Sequence, residues 1–240
     1  MNIIPSIIGR DFEEVNGKVE LVNESTKWIQ VDISDGVFAP QETWPYYENE
    51  DAFSEINLAD FVRTDVLKME VHLMVKNPEL ILDKWLSTGA DRILVHYEST
   101  DEDTLKDIIA RVKDEEIEVG IVLKMETPID VLDNFMNNID VVQFMSIDKI
   151  GAYGEPFDDE VFNKIEGLLV KYPGVRINVD GGVNSSNLKK LADLGVENAI
   201  VGSAVFGKDE SGAGDFDKEK GEVKKRIENL TCLSAGRKNA

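Results

Sequence analysis

Eight short runs rich in apolar and β-branched residues recur along this chain, their starts about 28 residues apart, close to the size of one strand–helix–strand unit. They are Ile3–Ile8, Trp28–Asp32, Met69–Leu73, Arg92–His96, Val119–Leu123, Val141–Met145, Arg176–Val179 and Ala199–Val201. Segments of helical period separate them, among them Pro78–Thr88, Thr104–Glu115, Ile129–Asn137, Asp159–Lys171 and Ser185–Leu194. Such alternation predicts parallel strands. Eight is the number that closes a (β/α)8 TIM barrel, a single α/β domain of roughly 250 residues, and the chain has 240. An open doubly wound sheet would show the same alternation and is the alternative architecture.

Local punctuation agrees with this reading. Asn77-Pro78 and Thr127-Pro128 each put a capping residue before a proline suited to a first helical position, and Gly89 and Gly195 stand where helices should stop. Gly207–Gly214 reads as a loop and Asp217–Asn229 as a last charged helix. The barrel is therefore expected over residues 1–230, with 231–240 a disordered tail.

Charge narrows the partners. With 26 Lys+Arg against 47 Asp+Glu the net charge is −21, which argues against a phosphate backbone or an anionic membrane surface as partner. No run of 18 apolar residues occurs, Met1–Arg10 lacks the pattern of a secretory signal, and the single cysteine, Cys232, cannot form an intramolecular disulfide. The cytoplasm is the expected compartment. Composition leaves association into a homo-oligomer open.

In a barrel, polar side chains at the C-terminal ends of strands face the catalytic mouth. That filter passes Ser6, Gln30, Asp32, Asp35, His72, His96, Lys124, Met145, Ser146 and Asp180. For either histidine alone a hydrogen-bonded core imidazole is the simpler reading. Asp32, His72 and Asp180 together can form a divalent-metal site, and they can equally supply an acid and a base. The glycines of Asp180-Gly181-Gly182 and Gly202-Ser203 follow the seventh and eighth strands. There backbone N–H groups can approach a phosphate, although the same glycines would also serve plain tight turns.

These residues carry a resemblance. Ile4-Pro5-Ser6-Ile7, Val31-Asp32-Ile33-Ser34-Asp35-Gly36 with Phe38 and Pro40, and Val71-His72-Leu73-Met74 are similar to the opening, second and third strands of ribulose-phosphate 3-epimerases. Gly89-Ala90-Asp91, Val95-His96 with Glu98, Thr127-Pro128, Met145-Ser146, Val179-Asp180-Gly181-Gly182-Val183-Asn184 and Gly202-Ser203-Ala204-Val205-Phe206-Gly207 follow in order. The resemblance implies a barrel isomerase that interconverts D-ribulose 5-phosphate and D-xylulose 5-phosphate at C3. It also implies one divalent metal ion, Zn, Fe, Mn, Co or Mg, and two catalytic aspartates matching Asp32 and Asp180. Ser6, His72, Met74 and Met145 match substrate-contacting positions. Gly181, Gly182, Gly202 and Ser203 match the phosphate site, and Gly151 and Gly154 belong to the loop that should cover it.

Departures gather at the same places. The family's metal site pairs these two aspartates with two histidines; His72 matches one, and Gln30 stands at the other. Ser34 replaces a methionine and Lys124 an asparagine, while Asp148–Phe157 keeps only Gly151, Gly154 and Phe157 of the family's phosphate-covering loop. Asp148 and Glu155 add negative charge near a proposed dianion, which would weaken its binding unless Lys149 or Lys124 compensates. The substrate implied is a ketose phosphate. The alternatives are epimerisation of another ketose phosphate, a lyase or aldolase using Lys124 as a Schiff base, and a sugar-phosphate-binding relative that has lost catalysis.

Overall fold

The computed structural model describes residues 1–47, 66–151, 154–207 and 216–236. Its eight strands are β1 (Asn2–Ile7), β2 (Trp28–Ser34), β3 (Lys68–Met74), β4 (Arg92–His96), β5 (Glu118–Leu123), β6 (Val141–Met145), β7 (Ile177–Asp180) and β8 (Asn198–Val201). All neighbours pair in parallel, and β8 returns to β1, so the sheet is a closed barrel. Closure excludes the open sheet and leaves no strand edge exposed.

Around it lie α1 (Phe12–Val22), α2 (Leu82–Leu86), α3 (Glu102–Asp114), α4 (Val161–Lys171), α5 (Leu188–Asp193), α6 (Ser203–Phe206) and α7 (Phe216–Ser234). Carboxylates start two of them. Asp11 accepts from the Glu14 amide at the head of α1, and Asp101 accepts from the Asp103 and Thr104 amides at the head of α3. Gly195 stops α5 as expected: at φ +90° it lets its own amide reach Ala192 O and the Val196 amide reach Leu191 O, which satisfies the last carbonyls.

Three expectations need correction. Asn77 does precede a turn beginning at Pro78, but its side chain caps nothing. Thr127 bonds Glu98 instead of capping, and the segment it precedes, Ile129–Asn134, is a 3-10 helix with Pro128 at its cap. The last helix passes Asn229 to end at Ser234, because Val223, Ile227, Leu230 and Ser234 make a buried stripe that packs toward α1, α5, α6 and β1. Residues 208–214 of the expected loop and 237–240 of the expected tail lie outside the described residues.

Side-chain alternation sorts the strands into two faces. Ile3 and Ile7, Ile29, Val31 and Ile33, Val71 and Leu73, Ile121 and Leu123, and Ile177 and Val179 face outward into one apolar layer under the helices. The lumen is different. A small apolar cluster around Met74, Leu94, Val122, Val141 and Met145 lies inside with Ile4 and Ile200, and most of the other inward positions are polar or charged. On the N-terminal side of the strands, fully buried Arg92 bonds Glu70 at 2.6 Å and Glu118 at 2.5 Å, with its guanidinium 4.3 Å from the Trp28 ring centroid. Arg176 extends this network to Glu118 and Glu197. No helix among the described residues is long and apolar enough to cross a membrane.

Candidate active site

Register brings the site together at the C-terminal ends of the strands. The β2–β3 pairing sets Asp32 beside His72, and the β1–β2 pairing sets Ser6 beside Gln30. Asp180 ends β7, on the wall facing β2. One donor atom from each of Asp32, His72 and Asp180 lies within 4.8 Å of the others, and all three residues are buried, so together they could hold a metal ion. His72 Nδ1 is 3.0 Å from Asp32 Oδ1 and 3.5 Å from Asp180 Oδ2.

Gln30 belongs to this group. Its Nε2 donates to Asp32 Oδ1 at 2.8 Å and to Asp180 Oδ2 at 2.9 Å, and lies 3.3 Å from His72 Nδ1. Its Oε1 is buried with no partner. A turn of the amide would put that oxygen where Nε2 now sits, at a spacing suited to ligands sharing one ion about 2.0–2.2 Å away. Two carboxylates, an imidazole and an amide oxygen therefore fit a divalent cation.

The two aspartates differ in their free oxygens. Ser6 Oγ donates to Asp32 Oδ2 at 2.5 Å. On Asp180, Gln30 and Gln143 both approach Oδ2, the latter at 3.3 Å. Burial, and then the charge of Asp32, push the Asp180 carboxyl up to about 7. Burial opposes charge on His72, but the hydrogen bond and charge of Asp32, with the charges of Asp180 and Glu70, raise its pKa overall.

Behind the cluster runs a second row. His72 Nε2 meets His96 Nε2 at 2.9 Å, and His96 Nδ1 meets Glu98 Oε2 at 3.2 Å. Glu98 Oε1 in turn accepts from the Lys124 amide at 2.9 Å and from the Thr127 hydroxyl. Burial draws His96 down to about 4. Glu98 is held at about 2, because the hydrogen bonds from His96, Thr127 and Lys124 outweigh its burial. Both histidines are fully buried, and neither lines the cavity.

The cavity opens above the aspartates. Ser6, Asp32, Met74, Met145, Gly151, Gly154, Asp180, Gly181, Gly182, Gly202 and Ser203 line it, so the residues matched to the family's catalytic, substrate and phosphate positions share one opening, except His72, which with Gln30 is not part of the lining. Ile8, Ile147, Val183 and Ile200 complete its wall and were not singled out in the sequence. Gly182 has φ +64°, and a Cβ there would stand 2.7 Å from the Phe157 amide nitrogen. The bare backbone is what allows the segment before α4 to lie against the turn after β7. Ser146 fastens the same turn, donating to the Asp180 and Gly181 carbonyls at 3.0 and 2.6 Å.

Other candidates fall outside. Asp35 accepts from the Val37, Phe38 and Lys76 amides and so shapes loops rather than the cavity. Lys124 does not line the cavity; its ammonium rests 4.3 Å from the Phe38 ring centroid, which gives no support to a Schiff-base role.

Comparison with known proteins agrees with this arrangement. The tryptophan synthase alpha-subunit of Pyrococcus furiosus, in a mutant form, superposes with a TM-score of 0.71 over 96 % of this chain and 97 % of that one, at 18 % identity, a likeness of fold alone. Ribulose-phosphate 3-epimerase of Schizosaccharomyces pombe is 30 % identical over 214 residues, covering 85 % of this chain and 86 % of the relative. Ribulose-phosphate 3-epimerase of Synechocystis is 30 % identical over 210 residues, with coverage of 85 % and 86 %. Residues 2–206 match the profile of the ribulose-phosphate 3-epimerase family, and the chain belongs to that family.

Proposed function

We propose that this protein interconverts D-ribulose 5-phosphate and D-xylulose 5-phosphate by moving the C3 proton between Asp32 and Asp180. The observation that carries the reading is the placement of two buried carboxylates, from facing walls of the barrel, on one cavity with a glycine-lined end. Inverting a carbon beside a ketone requires removal of its proton on one face and return of a proton on the other. Two carboxylates on opposed strands meet that need, one ionised and one protonated at each moment, and they exchange roles with the direction of turnover.

Asp32, His72 and Asp180 would hold a divalent cation, with the Gln30 amide oxygen as the fourth donor. When bound, such an ion supplies electrostatic stabilisation of the negative charge that develops on the substrate oxygens. The chain's own groups do the rest. Ser6 holds Asp32 Oδ2 in place, Met74 and Met145 keep the reacting face apolar, and the backbone at Gly181–Gly182 and Gly202–Ser203 receives the phosphate. No lysine or arginine is among the described residues lining the cavity, so backbone dipoles carry that recognition.

The test is proton NMR in D2O with ribulose 5-phosphate. Loss of the C3 proton signal at a rate dependent on enzyme is expected. A C3 proton that persists with metal-loaded protein would refute the reading.

A further inference from the structure

Four amide side chains cross the polar lumen from the barrel floor to Asp180. Parallel register sets Asn2 beside Asn198, Asn198 beside Asn178, and Asn178 beside Gln143, all at inward positions of β1, β8, β7 and β6. Asn178 and Gln143 are fully buried, and Asn198 is nearly so. Asn2 Nδ2 donates to Asn198 Oδ1 at 2.8 Å, Asn198 Nδ2 to Asn178 Oδ1 at 2.8 Å, and Asn178 Nδ2 to Gln143 Oε1 at 3.3 Å. Gln143 Nε2 then donates to Asp180 Oδ2 at 3.3 Å.

The direction of this row follows from its end. While Asp180 is ionised its oxygens can only accept, so Gln143 turns its NH2 toward Asp180 and its carbonyl away. That carbonyl requires a donor from Asn178, whose own carbonyl requires one from Asn198, and so on to Asn2 at the exposed floor. Each amide is polarised in the same sense as the next, which strengthens the final N–H contact. Turning one amide alone would set two carbonyls or two NH2 groups against each other in the lumen, leaving buried polar groups unpaired, which is costly.

Gln30 makes the contrast. It also donates to Asp180 Oδ2, but its carbonyl oxygen has no partner, so nothing on its far side opposes rotation. Gln143 has its far side tied. If Gln30 turns to offer its oxygen to a cation, Gln143 remains the N–H donor on Asp180. Both amides address Oδ2, which leaves Oδ1 as the oxygen available to the cavity.

We propose that Asn2, Asn198, Asn178 and Gln143 form a head-to-tail amide chain that orients the Asp180 carboxylate, with Gln143 as its positioning residue. The functional side of this inference rests on the epimerase reading above; the chain itself does not. Asn178→Asp keeps the shape but replaces a donor by an acceptor, which forces Gln143 to turn its NH2 downward and its carbonyl against Asp180. Asn178→Leu removes the tie without forcing reversal. Asn178→Thr restores a hydroxyl donor.

The experiment measures these three variants by steady-state kinetics and by side-chain NH2 resonances of protein labelled with 15N at asparagine and glutamine. Wild type should show a Gln143 NH2 pair protected from solvent exchange, and this pair should shift in Asn178→Asp and Asn178→Leu. Losses should fall on kcat with KM unchanged: about tenfold or more in Asn178→Asp, the scale of outer-shell changes at metal sites, less in Asn178→Leu, and least in Asn178→Thr. Should Asn178→Asp fail to fold, Asn198→Asp reverses the row one link further out and should move the same resonances. Unchanged Gln143 resonances, or kcat losses that follow melting temperature instead of the donor–acceptor order, would overturn the chain. A wild type that folds and shows the protected pair yet exchanges no C3 proton would overturn the epimerase reading and leave the chain standing.

Discussion

His72 Nε2 and His96 Nε2 face each other across 2.9 Å, so a single proton joins the two rings. Glu98 decides which ring owns it. Its carboxylate can only accept, so the His96 proton sits on Nδ1 and points at Glu98, leaving His96 Nε2 to accept from His72. Burial keeps His96 neutral near pH 7 and preserves that sense. The His72 Nδ1 atom is thereby presented to Asp32 and Asp180 in a fixed orientation.

Glu98→Gln should therefore loosen the site from behind. A glutamine can turn an N–H toward His96 Nδ1, which would move the His96 proton to Nε2 and set two N–H groups against each other at His72. Outer-shell changes of this kind typically cost 10–100-fold in metal affinity, and about tenfold is expected here. Calorimetric titration with Mn2+ and Zn2+ reads it directly, and equal affinities in the variant and wild type would disprove the relay.

The same carboxylate gives a pH dependence. The folded state holds Glu98 at about 2, below the ordinary 4.5, so its stabilising contribution is complete above 4.5 and is lost as pH falls toward 2. Wild type should accordingly lose stability between pH 4.5 and pH 2 more steeply than Glu98→Gln does. Urea unfolding at stepped pH measures the difference, and parallel curves would show that Glu98 contributes nothing.

Asp32→Asn and Asp180→Asn should each reduce C3 proton exchange by about 10²–10⁴-fold, the usual contribution of a positioned acid or base, because an amide keeps the shape but cannot carry the proton. Circular dichroism should remain that of wild type. Near-normal exchange in either variant, at matched metal occupancy, would rule out the two-carboxylate mechanism.

Much of this was readable in the chain. The outward strand positions are apolar and mostly aliphatic, so strand identity and number follow from β-branched runs, and β4 and β6 have the bounds expected from them. Asp32, His72 and Asp180 stand out because polar residues at strand ends are placed by the fold itself. The lumen was harder to read. Glu70, Gln143 and Asn178 sit within their strands and Asn198 opens β8, where an apolar filling is the norm, and only the period-two alternation with apolar neighbours marks them as facing inward. Glu98 was visible only as part of a motif, since its partners Lys124 and Thr127 come from another connection. Short helices such as α2 and α5 carry too few residues for periodicity to set their limits, and contact with the barrel sets them instead.

Gln30→His bears on the cation. An imidazole binds transition metals more strongly than an amide oxygen, so the variant should hold Zn2+ at least about tenfold more tightly, by comparison with the losses typical of more distant changes. Wild type should tolerate Mn2+ or Mg2+ comparatively well. If the affinities of the variant match those of wild type, position 30 contributes no ligand.

Arg92→Leu should destabilise the fold by about 3–5 kcal/mol, the cost of leaving a buried partner charge uncompensated. Glu70 is fully buried, with Oε2 bonded to Arg92 and Oε1 without a partner, and burial raises its pKa even with Arg92 beside it. Removing both, as Arg92→Leu with Glu70→Leu, should recover part of the loss. Denaturant titration decides, and a single variant as stable as wild type would show that the pair contributes little.

Gly202→Asp tests the anion site with the least disturbance to the backbone. Gly181 and Gly182 have φ of +102° and +64°, so a side chain there would strain the turn and confuse charge with shape. Gly202 has φ −93°, outside the left-handed region. It lines the cavity beside Ser203, where no lysine or arginine among the described lining residues would neutralise a new carboxylate. A carboxylate and a phosphate dianion about 4–6 Å apart repel by roughly 1.4–2 kcal/mol even at the dielectric of water and by more in a partly desolvated mouth, so KM for phosphorylated ketoses should rise by well over tenfold. Unphosphorylated ketoses lack the second charge and should lose far less. Steady-state kinetics with both substrate types separates the readings, since equal losses would mean that the loop after β8 does not receive the phosphate.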